Sequence, residues 1–298
     1  MSIAGASAGT DFTKICPLVC RRTNAKYDGE QARAVRVKHV EFGAGWPVII
    51  GGPCSVESVE QTLELAHAVK AVGCDMLRGG AYKPRTSPHD FQGLGLEGLE
   101  ILREARLQTG LPIVTEVMDP RLVEQVGEYA DMLQIGSRNM QNYPLLTEVG
   151  RFGKPVLLKR GMAASLCEWL GAAEYIAKEG NLDIVLCERG IKAYPSGEYS
   201  RFILDLNVIP AVQKETFLPV IVDPSHATGV ASMVEPASRS ALESGCHGLI
   251  IEIASEKAGA ARPKCDAAQA ISPTALGRIV EFARNRAGQK ADGKACAV

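Results

Sequence analysis

Several functional classes are excluded by what this sequence does not contain. No apolar stretch reaches the roughly 18 residues that a bilayer-crossing helix needs, and Met1 to Thr10 lack the basic-then-apolar order of a secretory signal. The expectation is a soluble, cytoplasmic chain with no membrane partner. An excess of one charge is missing too. Lys and Arg number 33 against 34 Asp and Glu, a formal net charge of -1, so the chain has no basic face of the kind nucleic acid demands. The nine cysteines show no paired spacing, which suits a reducing compartment rather than a disulfide framework. Cys16 and Cys20 stand four apart, but no second pair follows at zinc-binding spacing. No Gly-rich dinucleotide turn or P-loop follows an early strand, which weighs against an open doubly wound sheet.

What the chain has is a rhythm. From Pro47 onward, short β-rich apolar runs alternate with amphipathic helical stretches. The runs begin near Pro47, Asp75, Pro112, Asp131, Pro155, Asp183, Pro219 and Gly248. Between the first two, Ser58 and Gln61 fit a capping box, Leu63, Ala66 and Val69 recur at helical spacing, and Gly73 supplies a stop. Leu99, Leu102 and Ala105 repeat the pattern before Gly110. Eight such units in 298 residues of 46% hydrophobic content predict an α/β fold, a (β/α)8 TIM barrel. Its boundaries are set at 36–286, after an N-terminal extension of residues 1–35 and before a flexible C-terminal tail of 287–298. Arg36 to Gly45 alternate ahead of a Gly-rich turn, and they are expected to form a short hairpin plugging the barrel's N-terminal end.

In such barrels, chemistry sits at the C-terminal ends of the strands. In strand order the residues there are Cys54; Arg78 with Lys83 and Arg85; Glu116; Arg138; Lys159 with Arg160; Glu188 with Arg189; Asp223 with His226; and Glu252. A neutral chain thus concentrates cations where a small anion would bind, and Arg forks with Lys point charges suit phosphate and carboxylate. Taken singly, any of these is as readily a solvated loop residue; taken as a set they indicate a site. Cys54, His226 and Glu252 follow strands that a barrel makes neighbours, so they could share one divalent metal ion. Thiolate, imidazole and carboxylate suit manganese, iron, cobalt or zinc, and Asp266 is the candidate fourth ligand. His247 precedes its strand and receives no role.

The stretches GGPCSVES (Gly51 to Ser58), RGGAYKPRTSP (Arg78 to Pro88), IGSRNMQN (Ile135 to Asn142), LLKRG (Leu157 to Gly161), CERG (Cys187 to Gly190) and DPSHATG (Asp223 to Gly229) closely resemble 3-deoxy-D-arabino-heptulosonate 7-phosphate (DAHP) synthases of the type Iβ class. The resemblance implies condensation of phosphoenolpyruvate with erythrose 4-phosphate and water, the first step of the shikimate pathway toward chorismate. It further implies that Arg78, Lys83, Arg138, Lys159 and Arg189 hold phosphoenolpyruvate, that Arg85, Thr86 and Ser87 hold the aldose phosphate, and that Cys54, His226, Glu252 and Asp266 bind the metal. Lys83 and His226 are the catalytic candidates, and a homodimer or homotetramer is expected. The sister family making 3-deoxy-octulosonate 8-phosphate typically carries a KANRSS-like segment where Lys83 to Ser87 stand.

Three departures accompany the resemblance. IKAYPSGEYSRFILD (191–205) replaces a segment usually reading RTFE..TRNTLD, with Arg201 kept. EIASEKAGAARPKCD (252–266) replaces EVHPEPEKALSD and lengthens the gap between Glu252 and Asp266. The residues before Arg36 are too few for a ferredoxin-like or chorismate-mutase domain, so no feedback inhibition by aromatic amino acids is expected. The alternative readings are the same condensation with another aldose phosphate, and a phosphate-binding barrel that has lost catalysis.

Overall fold

A computed structural model describes residues 10–27, 29, 31–193, 201–257 and 262–291. A short helix α1 (Phe12–Ile15) leads to an antiparallel hairpin, β1 (Val35–Val37) and β2 (Val40–Phe42). Eight parallel strands follow: β3 (Val48–Gly52), β4 (Met76–Arg78), β5 (Ile113–Glu116), β6 (Met132–Ile135), β7 (Val156–Lys159), β8 (Ile184–Glu188), β9 (Val220–Val222) and β10 (Gly248–Glu252). They close into a barrel in chain order, with β10 paired to β3. The helices between and after them are α2 (Val59–Ala71), α3 (Leu96–Thr109), α4 (Val123–Tyr129), α5 (Tyr143–Phe152), α6 (Leu166–Lys178), α7 (Val208–Glu215), α8 (Pro224–Thr228), α9 (Ala231–Glu243) and α10 (Pro273–Ala291). All eight predicted strands are present.

Local signals act as the sequence suggested, with one difference. The Ser58 side chain accepts the Gln61 N–H at 3.2 Å, but the Gln61 side chain accepts from Glu57 rather than Ser58, so only half of the capping box forms. A full box caps α6, where Ser165 and Glu168 bond reciprocally. Helix α10 runs to Ala291, five residues into the span read as a flexible tail, and residues 292–298 lie outside the described ones.

Two apolar clusters hold the fold. The larger lies between strands and helices and includes Ile49, Leu77, Ile113, Leu133, Leu158, Leu186 and the buried Trp169. The smaller fills the barrel with Val48, Ile50, Met76, Val114, Met132, Leu157, Val185, Cys187, Ile221 and Ile250, and it continues into Val35, Val37, Val40 and Phe42 of the hairpin. The hairpin therefore plugs the barrel from the N-terminal side, as predicted, because its alternating residues present one apolar face to the open mouth. The N-terminal extension packs alongside: Tyr27 stacks on Phe217 with ring centroids 4.4 Å apart, and the Arg33 N–H donates to Phe217 O at 2.7 Å.

Candidate active site

Side chains alternate along a strand, so a residue two beyond an interior apolar residue also faces the interior, one layer higher. That parity sorts the strand-end residues. Above Met76 stands Arg78, above Val114 Glu116, above Met132 Gln134, above Leu157 Lys159, above Cys187 Arg189, above Ile221 Asp223, and above Ile250 Glu252. Lys159 thus turns inward, while its neighbour Arg160 turns outward and binds Glu188 at 3.0 Å and Asp205 at 2.9 Å. Two glycines open space in this layer. A Cβ on Gly52, whose φ is +153°, would lie 2.0 Å from Arg78 O, and one on Gly136 would lie 2.1 Å from a Glu116 carboxylate oxygen.

Over the layer opens a cleft of about 190 Å³ lined by Arg78, Lys83, Arg85, Thr86, Arg138, Lys159, Arg189, His226 and Asp266, together with Glu116, Gln134, Ser137, Arg201, Phe202 and Cys265. Lys83 is buried, and its ammonium donates to Cys54 O at 2.9 Å and contacts Cys54 Sγ at 3.2 Å. Burial alone would pull its pKa down, yet the Cys54 and Cys265 sulfurs outweigh it and push the value up, so Lys83 stays an ammonium. Arg189 stacks on the Phe202 ring with 4.3 Å to the centroid, and its NH1 is buried without a hydrogen-bond partner. Burial lowers its pKa. Arg78 NH1 faces Glu252 Oε1 at 2.9 Å, an ion pair by distance whose two atoms lack hydrogen-bond alignment. Buried polar atoms are rarely left unpaired in a finished core; here they mark places prepared for something else.

Beneath and beside the cations lies a cluster of potential metal donors. Among the described residues it forms two overlapping trios sharing Asp266: His226 with Glu252, and Cys54 with Cys265. His226 Nε2 lies 3.3 Å from Glu252 Oε1 and 3.8 Å from Asp266 Oδ2, and Cys54 Sγ lies 3.5 Å from Asp266 Oδ2. An ion with bonds of about 2.0–2.3 Å bridges each of these separations, while the two trios share only Asp266 and do not merge into one set of four. The donor set fits: Glu252 Oε1 is buried with no hydrogen bond, and the His226 ring is oriented from behind by Asp223 Oδ2 at 2.7 Å from Nδ1, which aims Nε2 at the cluster. Lys159 Nζ holds the same Asp223 oxygen at 2.5 Å. Burial would raise the Asp223 carboxyl, but His226 and Lys159 hold it well below the usual range. Asp266 is likewise brought down to about 2 by His226, Arg201 and Lys83 against the opposing effect of burial. Its backbone sits at a φ of +47°, uncommon for a non-glycine residue and tolerated best by Asp and Asn.

Of the residues that the resemblance assigned to a substrate or the metal, Ser87 alone lies neither along the cleft nor in the donor cluster, while the strand-end pair Arg160 and Glu188 faces away from it. The Ser87 Oγ accepts the His89 N–H at 3.2 Å within its own loop, whereas Cys54 and Glu252 form the floor. The described parts of the altered segments supply residues that the sequence reading did not place: Arg201, whose NH1 reaches Asp266 Oδ1 at 3.3 Å, Phe202, and Cys265, whose Sγ is 2.9 Å from Cys54 Sγ. Nothing in the spacing of Cys54 and Cys265, 211 apart in the chain, signals this pairing. Gln134 was recoverable from strand parity, two beyond Met132.

Fold and site together define a (β/α)8 barrel whose strand-end loops gather cations over a buried cluster of potential metal ligands. The chain belongs to the DAHP synthetase I family, whose profile matches residues 25–288. It is 50% identical over 214 residues to a phospho-2-dehydro-3-deoxyheptonate aldolase of Thermotoga maritima, covering 72% of this chain and 63% of that relative. A 2-dehydro-3-deoxyphosphooctonate aldolase of Syntrophotalea carbinolica is 34% identical over 238 residues, 74% of this chain and 84% of its own. The crystal structure of the Thermotoga maritima DAHP synthase superposes with a TM-score of 0.82 at 42% identity, over 93% of this chain and 77% of that one. A truncated form of the synthase from that organism gives 0.79 at 39% identity, over 93% and 98%.

Proposed function

We propose that this chain condenses phosphoenolpyruvate with erythrose 4-phosphate and water, releasing phosphate and forming DAHP, the entrance to the shikimate pathway. The observation that carries this reading is the inward-facing layer of Arg78, Lys159 and Arg189, closed over by Lys83 and Arg138, beside the His226, Glu252 and Asp266 trio. Phosphoenolpyruvate carries a carboxylate and a phosphate, and this set offers both forked and compact cations. Arg85 and Thr86, on the loop that reads KPRTSP, line the outer part of the cleft and would hold the aldose phosphate.

Cys54, His226, Glu252 and Asp266 would hold one divalent ion, which when bound supplies Lewis acidity toward the aldehyde oxygen. The third carbon of phosphoenolpyruvate attacks the aldehyde carbon, water adds at the second carbon, and the carbon–oxygen bond to phosphate breaks. Lys83 would deliver a proton to the new alkoxide and regain one from the added water, whose other proton leaves with the phosphate. Asp223 keeps the His226 ring in register, and the guanidinium groups offset charge on the phosphorylated intermediate without reorganising. We further read the protein as a cytoplasmic homo-oligomer; no helix among the described residues is long and apolar enough to cross a membrane.

The test is phosphoenolpyruvate consumption, followed by ultraviolet absorbance, with erythrose 4-phosphate before chelation, after it, and with manganese restored. Equimolar phosphate release that disappears with chelator and returns with metal is the expected result. Absence of turnover with erythrose 4-phosphate in any divalent metal overturns it. The sister activity of the octonate relatives and the altered segments at 191–205 and 253–266 make arabinose 5-phosphate the second substrate to assay.

A further inference from the structure

Cys265 is not among the four ligands assigned above, yet it is 2% exposed and its sulfur lies against the donor cluster. Its Sγ is 2.9 Å from Cys54 Sγ and 3.6 Å from Asp266 Oδ2, while Cys54 Sγ is 3.5 Å from that same oxygen. Two cations face the pair, Lys83 Nζ at 3.2 Å from Cys54 Sγ and Arg85 NH1 at 2.7 Å from Cys265 Sγ. An ion with bonds of about 2.3 Å to sulfur and about 2.0 Å to oxygen spans tetrahedral edges of roughly 3.5–3.8 Å. Both sulfur–oxygen edges already have that length, and the sulfur–sulfur edge reaches it by opening about 0.9 Å, the direction in which two thiolates repel.

We propose that Cys265 is a second thiolate ligand, which gives this chain a two-sulfur metal site selective for thiophilic divalent ions such as zinc over oxygen-preferring ions such as manganese. The inference rests on reading the cluster as a metal site and deepens it. The preference follows from ligand softness, since each thiolate added to a mixed site favours zinc-like ions over hard ones. The Arg85 and Lys83 contacts then act as outer hydrogen bonds that offset the charge of two thiolates. Because Arg85 also lines the outer cleft, Cys265 links the metal to the loop proposed to hold the aldose phosphate.

The experiment strips the full chain with chelator, reloads it with cobalt, and reads the near-ultraviolet sulfur-to-cobalt charge-transfer band. The wild type is expected to show about twice the band intensity of Cys265→Ser or of Cys54→Ser, with none in the double variant. In Cys265→Ser the ratio of zinc to manganese affinity is expected to fall by at least about tenfold, the loss that even outer-shell changes produce. X-ray absorption on the zinc-loaded wild type counts the sulfurs directly and needs no substitution; both thiolates bound is the expected answer. One sulfur on zinc, with the cobalt band unchanged in Cys265→Ser, overturns the inference while leaving the proposed condensation untouched. A chain that binds no divalent ion at all overturns the inference together with the metal assignment in the proposed function.

Discussion

The two mouths of the barrel are made by the same eight strands but treat their polar groups in opposite ways. At the N-terminal mouth the charged residues that open strands are tied down. Asp75 accepts the Ile49 N–H at 2.7 Å and an Arg284 bond at 2.7 Å, and Asp131 accepts the Ile113 N–H at 2.9 Å with Arg106 at 3.1 Å. His247 Nδ1 accepts the Val220 N–H at 3.1 Å. The hairpin then covers the apolar interior. At the C-terminal mouth, by contrast, Arg78, Glu116, Ser137, Arg189 and Glu252 contribute six of the eight buried side-chain polar atoms that lack a hydrogen bond among the described residues. One mouth is close to a finished core, with Arg33 Nε beside Asp183 left unpaired, and the other leaves its strongest groups for a ligand. Stability and function are therefore expected to separate along the barrel axis.

The sharpest break of that comparison is at the closed mouth. Phe42→Ala removes a fully buried ring from the hairpin plug and is expected to destabilise the chain by about 3–5 kcal/mol, measured by urea unfolding. Turnover per folded molecule should be unchanged; a matching fall in kcat would mean the two mouths are coupled. At the open mouth, Arg189→Met is expected to lower kcat/KM by roughly 10²–10³-fold, as loss of one preorganised donor does. Its Tm should hold or rise, because a buried cation with an unpaired NH1 is replaced by an apolar chain of similar length. A Tm drop of several degrees would show that Arg189 supports the fold after all. The smallest effect is expected at Phe202, whose ring carries the Arg189 guanidinium at 4.3 Å and the Arg201 guanidinium at 5.5 Å. Phe202→Ala loses a contact worth about 0.5–2 kcal/mol, read as a rise of roughly 2–30-fold in KM for phosphoenolpyruvate with kcat less affected. Phe202→Tyr should restore it; an equal fall in kcat would assign Phe202 a different task.

The cations and the metal-donor candidates were legible because the fold rule restricts where to look, and the strand-end motifs supplied the residues. Adjacent pairs such as Lys159 and Arg160, or Glu188 and Arg189, stayed ambiguous when read as loop residues. Counting by twos from the interior Leu157 and Cys187 resolves both, a signal present in the sequence once the strand boundaries are known. Ser87 illustrates the reverse: its motif placed it at the site, but a local turn bond to His89 holds its hydroxyl in its own loop. Phe202 and Cys265 stand where the segments depart from the family pattern and resemblance carries no residue over; Arg201 is kept from that pattern, but without a role attached.

By itself the sequence determined the eight βα units, the hairpin plug and the chemistry of the strand-end residues, because hydrophobic periodicity, turn residues and strand parity are local properties. Tertiary structure alone decided which donors meet. Closure of β10 on β3 brings Glu252 beside the loop carrying Cys54, and the following loop lays Cys265 and Asp266 across both. Contacts between residues 211 apart depend on barrel closure and on the path of one irregular loop, and no periodicity in the chain encodes either.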